Sequence, residues 1–288
     1  MELVETKIVL AAAAAFAMLV SCGPSQQGMN WQALRMDGHR TGVTAPNADN
    51  VASALGTVDG NIYTSPNGKV FKDGATPAVA SIMLEVQPSM ARLKEVIAYS
   101  ARNMEKHRPE SELSNMAVDI IMEQTEKLTG RKVDVGILNF GGIRTTMPAG
   151  PVMLDDIVSM FPFKNYLTYV AMPGSELRRV LEYMASHKVE VLGGARIVIR
   201  DHKLVKAEVG GKPLSDSKVY GLATIDFLVD GGDGLKLARG CREMIITDVK
   251  VIDAIEPYIR AVTARGDTLD YKTDGRVIIE KTQGEEKK

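Results

Sequence analysis

Three short segments constrain this chain more than anything else in it. They are Asn139-Phe140-Gly141-Gly142-Ile143-Arg144, Phe161-Pro162-Phe163-Lys164-Asn165 and Phe227-Leu228-Val229-Asp230-Gly231-Gly232-Asp233-Gly234. The first follows residues 133–138, a short, nearly all-apolar run that reads as a buried strand. Asn139 to Arg144 then fall in the loop that leaves this strand, where polar side chains and backbone can approach a ligand. Taken together, the segments supply an amide, two planar rings, a guanidinium and a carboxylate. These are the groups needed to hold a base, a ribose and a phosphate.

Phe163 and Phe227 are two of only six phenylalanines, and each stands beside a Pro or Gly motif at the end of an element. Two such rings can sandwich a base, and stacking on an aromatic is worth ~1–3 kcal/mol per base. The plainer alternative is that both are core residues. Asn139 donates and accepts at once, which suits the edge of a base; its competing role is a turn residue ahead of Gly141-Gly142. Asn165 is a second amide candidate. Arg144 offers a guanidinium fork to phosphate or ribose oxygens, against an ordinary surface arginine. Asp233, set among glycines, exposes a carboxylate to which vicinal ribose hydroxyls can donate, against a solvated hairpin aspartate.

The order and spacing of these motifs resemble the C-terminal, substrate-binding domain of the 5'-nucleotidase / UDP-sugar hydrolase family, from about Val79 to the C-terminus. The resemblance implies an α+β fold, layered α/β/β/α with mixed sheets. It implies that Phe163 and Phe227 clamp the base, that Asn139 and Asn165 contact base or ribose, and that Asp233 and Arg144 take ribose and phosphate. Arg108 resembles the further arginine that relatives place ahead of a helix containing an asparagine, here Asn115. Phe140 stands where many relatives have a third glycine, which implies a stiffer loop whose backbone comes less close to the ligand.

In that family the hydrolytic chemistry belongs to an N-terminal metallophosphatase domain, where two metals held by Asp, Asn and His activate water. The four histidines here, His39, His107, His187 and His202, do not make such a site. Asp37-Gly38-His39 matches the Asp-x-His element that opens that domain only superficially, because no Asn-His or His-x-His element follows. The expectation is therefore no catalytic residue, metal ligand or cofactor on this chain. Two divalent metals would sit on a separate metallophosphatase chain, for which this chain positions a nucleoside 5'-monophosphate or related nucleotide. The alternatives are an autonomous nucleoside- or nucleotide-binding lipoprotein, and a degenerate structural remnant.

The N-terminus reads as an export signal. Lys7 precedes an apolar run over residues 8–20, and Leu19-Val20-Ser21-Cys22 forms a lipobox, so residues 1–21 are expected to be removed and Cys22 lipidated. An ordinary cleaved signal with an incidental cysteine is the competing reading. No acidic cluster follows Cys22, so the anchor is expected in the outer membrane, facing the periplasm. Once residues 1–21 are gone, 34 basic and 34 acidic side chains remain of 35 and 36. That balance offers no basic stripe for nucleic acid. With Cys22 lipidated, Cys241 has no partner for a disulfide and reads as a small buried residue.

Residues 22–60, rich in Gly, Asn, Thr, Ala and Pro, read as a tether and irregular segment, and residues 61–288 as one nucleotide-binding domain. Short strands with turns are expected over residues 61–74, a strand over 79–86, and helical spacing from Met90 through Leu93 to Val96 and Ile97. A helix follows from about Ser111 to Gly130. Next come a short helix near 154–160, a strand over 166–172 and a helix opened by Pro173. A strand pair flanks Asp201-His202, a strand spans 219–225, a helix starts at Asp248 and a strand closes the chain over 276–280.

Overall fold

The computed structural model describes residues 50–280. The expected signal peptide, Cys22 and the Asp37-Gly38-His39 element lie outside the described residues. Helix α1 (Val51–Leu55) leads into a three-stranded antiparallel sheet of β1 (Thr57–Asp59), β2 (Ile62–Thr64) and β3 (Val70–Lys72). Tyr63 and Phe71 stack across β2 and β3 with ring centroids 5.8 Å apart. The stretch expected to be irregular up to residue 60 therefore already carries a helix and a strand where it is described.

Residues 79–86 correct the expected strand: they belong to helix α2 (Ala75–Glu85) and the residue that caps it. Val79, Ile82, Met83 and Val86 recur at i, i+3, i+4 and i+7, which is helical spacing, and this outweighs the β-branched residues among them. A 3₁₀ segment at Pro88–Lys94 follows, and Val96 and Ile97 then open β4 (Val96–Ser100) instead of continuing a helix. Strand β4 pairs with β6 (Gly150–Met153), which leads directly into the short helix α4 (Leu154–Met160).

The centre of the fold is α3 (Glu112–Thr129). Ser111 caps it by accepting from the Ser114 amide at 3.1 Å, and Gly130 ends it in the left-handed region. Leu113, Met116, Ala117, Val118, Ile120 and Ile121 are all buried, each large side chain contributing roughly 1.5–3 kcal/mol. This helix packs on a five-stranded sheet and reaches it closely. A Cβ at Gly136 would lie 2.6 Å from the side chains of Val118 and Met122, so only glycine admits the helix at that distance.

The sheet is mixed. Strand β12 (Val219–Ile225) runs parallel to β5 (Val135–Leu138) and antiparallel to β7 (Tyr166–Pro173), which in turn pairs antiparallel with β13 (Glu243–Lys250). Strand β8 (Val191–Gly193) pairs antiparallel with β5. Helix α5 (Gly174–Ser186) packs between β7 and the second sheet, β11-β10-β9-β14, made of β9 (Ala195–Arg200), β10 (Lys203–Val209), β11 (Lys212–Pro213) and β14 (Val277–Glu280). The expected mixed α+β class with mixed sheets is the observed one. Asp248 lies inside β13, so the last described helix, α6 (Val251–Ala264), starts three residues later than expected.

The C-terminal strand is fastened to α3 by charge. Arg276 forks onto Asp119 at 2.8 Å and onto Asp274 at 2.8 Å, and the arginine beside it holds the Asp274 carboxyl below the usual carboxylate range. No helix among the described residues is long and apolar enough to cross a membrane.

Candidate functional site

Sheet topology gathers the three segments at one edge. Strands β5 and β12 are parallel, so their C-terminal ends, carrying the loops that begin at Asn139 and at Asp226, emerge together. Strand β7 runs the other way, with Leu167 opposite Ile225, so residues 161–165 ahead of it arrive at that same edge. Strand β13 also ends there, and the Val251 amide donates to the Asn165 carbonyl at 3.0 Å. A recess at this edge is lined by Leu138, Asn139, Gly142, Phe161, Phe163, Asn165 and Val251, among others.

Asn139 is buried, and its Nδ2 donates to Asp233 Oδ2 at 2.7 Å across 94 positions of sequence. One oxygen of the Asp233 carboxylate is thereby engaged and the other is left to accept. Asp233 itself stands at φ 51°, ψ 22°, in the left-handed region that aspartate tolerates better than most residues. The amide of Asn139 folds back over its own loop: a Cβ on Gly142 would lie 2.8 Å from Asn139 Oδ1.

Neither candidate clamp ring enters the core. Phe163 is 46% exposed and Phe227 43%, whereas Phe140 and Phe161 are buried. The Arg144 guanidinium lies 5.8 Å from the Phe163 ring centroid, and its Nη1 donates to the Gly141 carbonyl at 3.3 Å. Phe227 rests against Gly232, where an added Cβ would meet the ring at 2.4 Å. The two segments that carry these rings are joined through Asp226. Its Oδ1 accepts from the amide of Tyr166 at 3.0 Å and from that of Phe227 at 2.9 Å. Sequence reading passed over Asp226, because its partner amide at Tyr166 lies 60 positions away.

Arg108 is placed differently from Arg144. Its Nε donates to the Val189 carbonyl at 2.8 Å, its Nη2 meets the buried Glu190 at 2.6 Å, and its guanidinium lies 4.5 Å from the Phe140 ring centroid. Glu190 also accepts from the Phe140 amide at 2.7 Å. Phe140, just ahead of Gly141-Gly142, therefore points inward and serves as a floor for Arg108. Asn115, in the helix behind, gives its amide to Glu110 at 2.8 Å and to the Lys272 carbonyl at 3.2 Å.

Lys106 is a further residue that sequence reading missed. Its Nζ donates to the carbonyls of Phe140 and Ile143, and burial, then the charges of Arg144 and Arg108, hold its pKa below the usual lysine value. Nothing in the sequence around Lys106 marks it, because its role depends on a loop more than thirty residues away. Lys106, Arg108 and Arg144 thus surround one glycine-containing loop; Glu190 neutralises Arg108, so the positive charge beside this loop comes mainly from Lys106 and Arg144.

Among the described residues no group of three or more His, Cys, Asp or Glu is arranged to hold a metal. His187 stacks on Tyr183 with centroids 4.2 Å apart, and His202 occupies the turn between β9 and β10. Cys241 is a free, partly buried thiol packed against the core.

Comparison with known proteins bears on this arrangement. The family model of the 5'-nucleotidase C-terminal domain matches residues 89–239. Protein UshA of Yersinia enterocolitica is 28% identical over 172 residues, covering 58% of this chain and 30% of that protein. A 5'-nucleotidase of Vibrio cholerae is 28% identical over 209 residues, covering 68% of this chain and 37% of that one. Among solved structures, a 5'-nucleotidase precursor from Thermus thermophilus superposes with a TM-score of 0.62 at 22% identity, over 70% of this chain and 43% of the other. The chain thus spans less than half the length of these relatives.

Proposed function

The chain belongs to the 5'-nucleotidase C-terminal domain family, and on that footing we propose that it is the nucleotide-recognising half of a two-part hydrolase. The reading is carried by the Asn139–Asp233 hydrogen bond of 2.7 Å, which unites two distant loops into one polar wall beside two exposed rings. In this reading Phe163 and Phe227 stack on the base and Asn139 and Asn165 meet its edge or the ribose. The remaining oxygen of Asp233 accepts from the ribose hydroxyls. Arg144 forks onto phosphate, where a charge-assisted hydrogen bond is worth about 1.5–3 kcal/mol. Arg108, with two of its nitrogens committed to Val189 and Glu190, shapes the wall.

The chemistry of phosphoester cleavage is proposed to reside on a separate metallophosphatase chain carrying two divalent metals, which would activate water against the phosphate presented here. Export and lipidation at Cys22, with the anchor in the outer membrane facing the periplasm, complete the proposal. If no such partner exists, the same cleft serves an autonomous nucleotide-binding lipoprotein.

The test is phosphate release. The purified chain, incubated with AMP and divalent metal, is expected to release none, and addition of the metallophosphatase chain is expected to raise AMP hydrolysis above what that chain achieves alone. Robust metal-dependent release by this chain, in a preparation shown to be free of contaminating phosphatase, contradicts the proposal.

A further inference from the structure

The loop at residues 139–144 must hold two groups in register, the Asn139 amide at its start and the Arg144 guanidinium at its end. Between them lies Gly141-Gly142, a pair with more backbone freedom than any other dipeptide. A loop of that kind positions its ends only if something outside it removes the freedom. Three ties do so. At the start, the buried Glu190 accepts from the Phe140 amide at 2.7 Å. At the end, the Arg144 amide donates to the Met160 carbonyl at 2.9 Å. The third tie spans the glycines themselves: Lys106 Nζ donates to the carbonyls of Phe140 and Ile143, one on either side of the pair.

A lysine ammonium has three donors and no acceptor, so it can join two carbonyls, keep its third N–H for water and leave no acceptor unpaired as an amide or hydroxyl would. The arrangement is costly, since the ammonium is partly withdrawn from water beside Arg144 and Arg108. A charge kept in such a place implies a use for it. We propose that Lys106 is the positioning residue of this cleft, its ammonium bridging the Phe140 and Ile143 carbonyls so that Asn139 and Arg144 face the same ligand. The inference rests on the nucleotide-binding reading for its consequence, and on the loop geometry alone for its mechanism. Lys106 acts on the ligand through the loop and makes no contact with base, ribose or phosphate.

The experiment compares the full chain with Lys106→Met, which keeps most of the apolar stem and removes the donors, by hydrogen exchange and by titration with adenosine and AMP. Exchange at the amides of residues 140–144 should accelerate while the amides of α3 are unchanged. Adenosine, which has no phosphate, should bind roughly tenfold more weakly, the loss of about one charge-assisted hydrogen bond. Lys106→Gln, which keeps donors without the charge, should fall between the two in both measurements.

Unchanged exchange in the loop overturns the inference. So does an adenosine affinity left intact while AMP weakens, which would make Lys106 a direct phosphate ligand. Acceleration that extends through α3 also overturns it, because that is general destabilisation. If the unaltered chain binds neither adenosine nor AMP, the proposed function fails, and the exchange measurement still decides whether Lys106 holds the loop.

Discussion

The two loops that meet at Asn139 and Asp233 are built in opposite ways. The loop at 139–144 is braced from outside: Phe140 and Ile143 are buried in the core, and Glu190, Lys106 and Met160 each bind its backbone. The loop at 226–234 is anchored at its start, by buried Leu228 and Val229 and by Asp226, which accepts from the Tyr166 and Phe227 amides, and beyond that its path is set from inside by Gly231, Asp233 and Gly234 at positive φ. The first loop presents a fixed polar wall. The second carries an exposed ring and a carboxylate on a turn whose geometry glycine sets, and it is joined to the wall by one side-chain hydrogen bond. The difference teaches that the two walls can be tested separately: the first loop is held by ties to distant residues, while the second leaves its ring and one carboxylate oxygen exposed on a glycine-set turn.

Glu190→Ala breaks the bracing most severely. It removes the acceptor for the Phe140 amide and the partner of Arg108. Losing one member of a buried ion pair costs about 3–5 kcal/mol, and because Arg108 is 34% exposed and can rehydrate, the lower end is expected. Denaturant unfolding checks this; a loss below ~1 kcal/mol would mean the first loop is not braced by the core. On the other loop, Asp233→Ala should leave stability nearly unchanged and weaken adenosine and AMP by the same ten- to hundredfold, roughly 1.5–3 kcal/mol. Arg144→Ala should weaken AMP more than adenosine in the same titrations.

Gly232→Ala sharpens the contrast further. The added methyl occupies the position of the Phe227 ring edge, so the ring must swing away while the fold persists. Nucleoside affinity should fall by up to the ~1–3 kcal/mol that one stacking face supplies, with the melting temperature nearly unaltered. The smallest effect belongs to Phe163→Leu in the ligand-free protein. Its ring is 46% exposed with Arg144 beside it, and an exposed cation–π contact is worth only about 0.5–1 kcal/mol. A stability loss of several kcal/mol, measured by thermal unfolding, would return Phe163 to the core and remove it from the cleft.

Much of this was legible in the residues. Ser111 and Gly130 marked the ends of α3, the apolar run before Asn139 marked β5, and the Gly-rich segments marked the loops that the parallel pair β5 and β12 brings to one edge. What stayed hidden has physical causes. Residues 79–86 mix β-branched residues with helical spacing, and the spacing won. Strand β8 is only three residues long, too short for any periodicity to show, and Asp248 looked like a helix cap while β13 carried it as an edge-strand residue. Lys106, Glu190 and Asp226 act on backbone groups far away in sequence, a relation that neither composition nor local pattern encodes. The inward turn of Phe140 was hidden for the same reason, since Arg108 and Glu190 become its neighbours only in the fold.

The central claim, that this edge of the sheet is a nucleotide cleft, is tested most directly by titration calorimetry of the full chain with AMP and with adenosine. The account predicts saturable one-to-one binding of both. It predicts AMP as the tighter ligand, with an affinity near the micromolar range that two stacking faces and one phosphate contact allow, about −8 kcal/mol. Phe227→Ala should abolish most of the signal for each. Absence of binding to either ligand at millimolar concentration, or binding that survives Phe227→Ala, Asp233→Ala and Arg144→Ala alike, would contradict it.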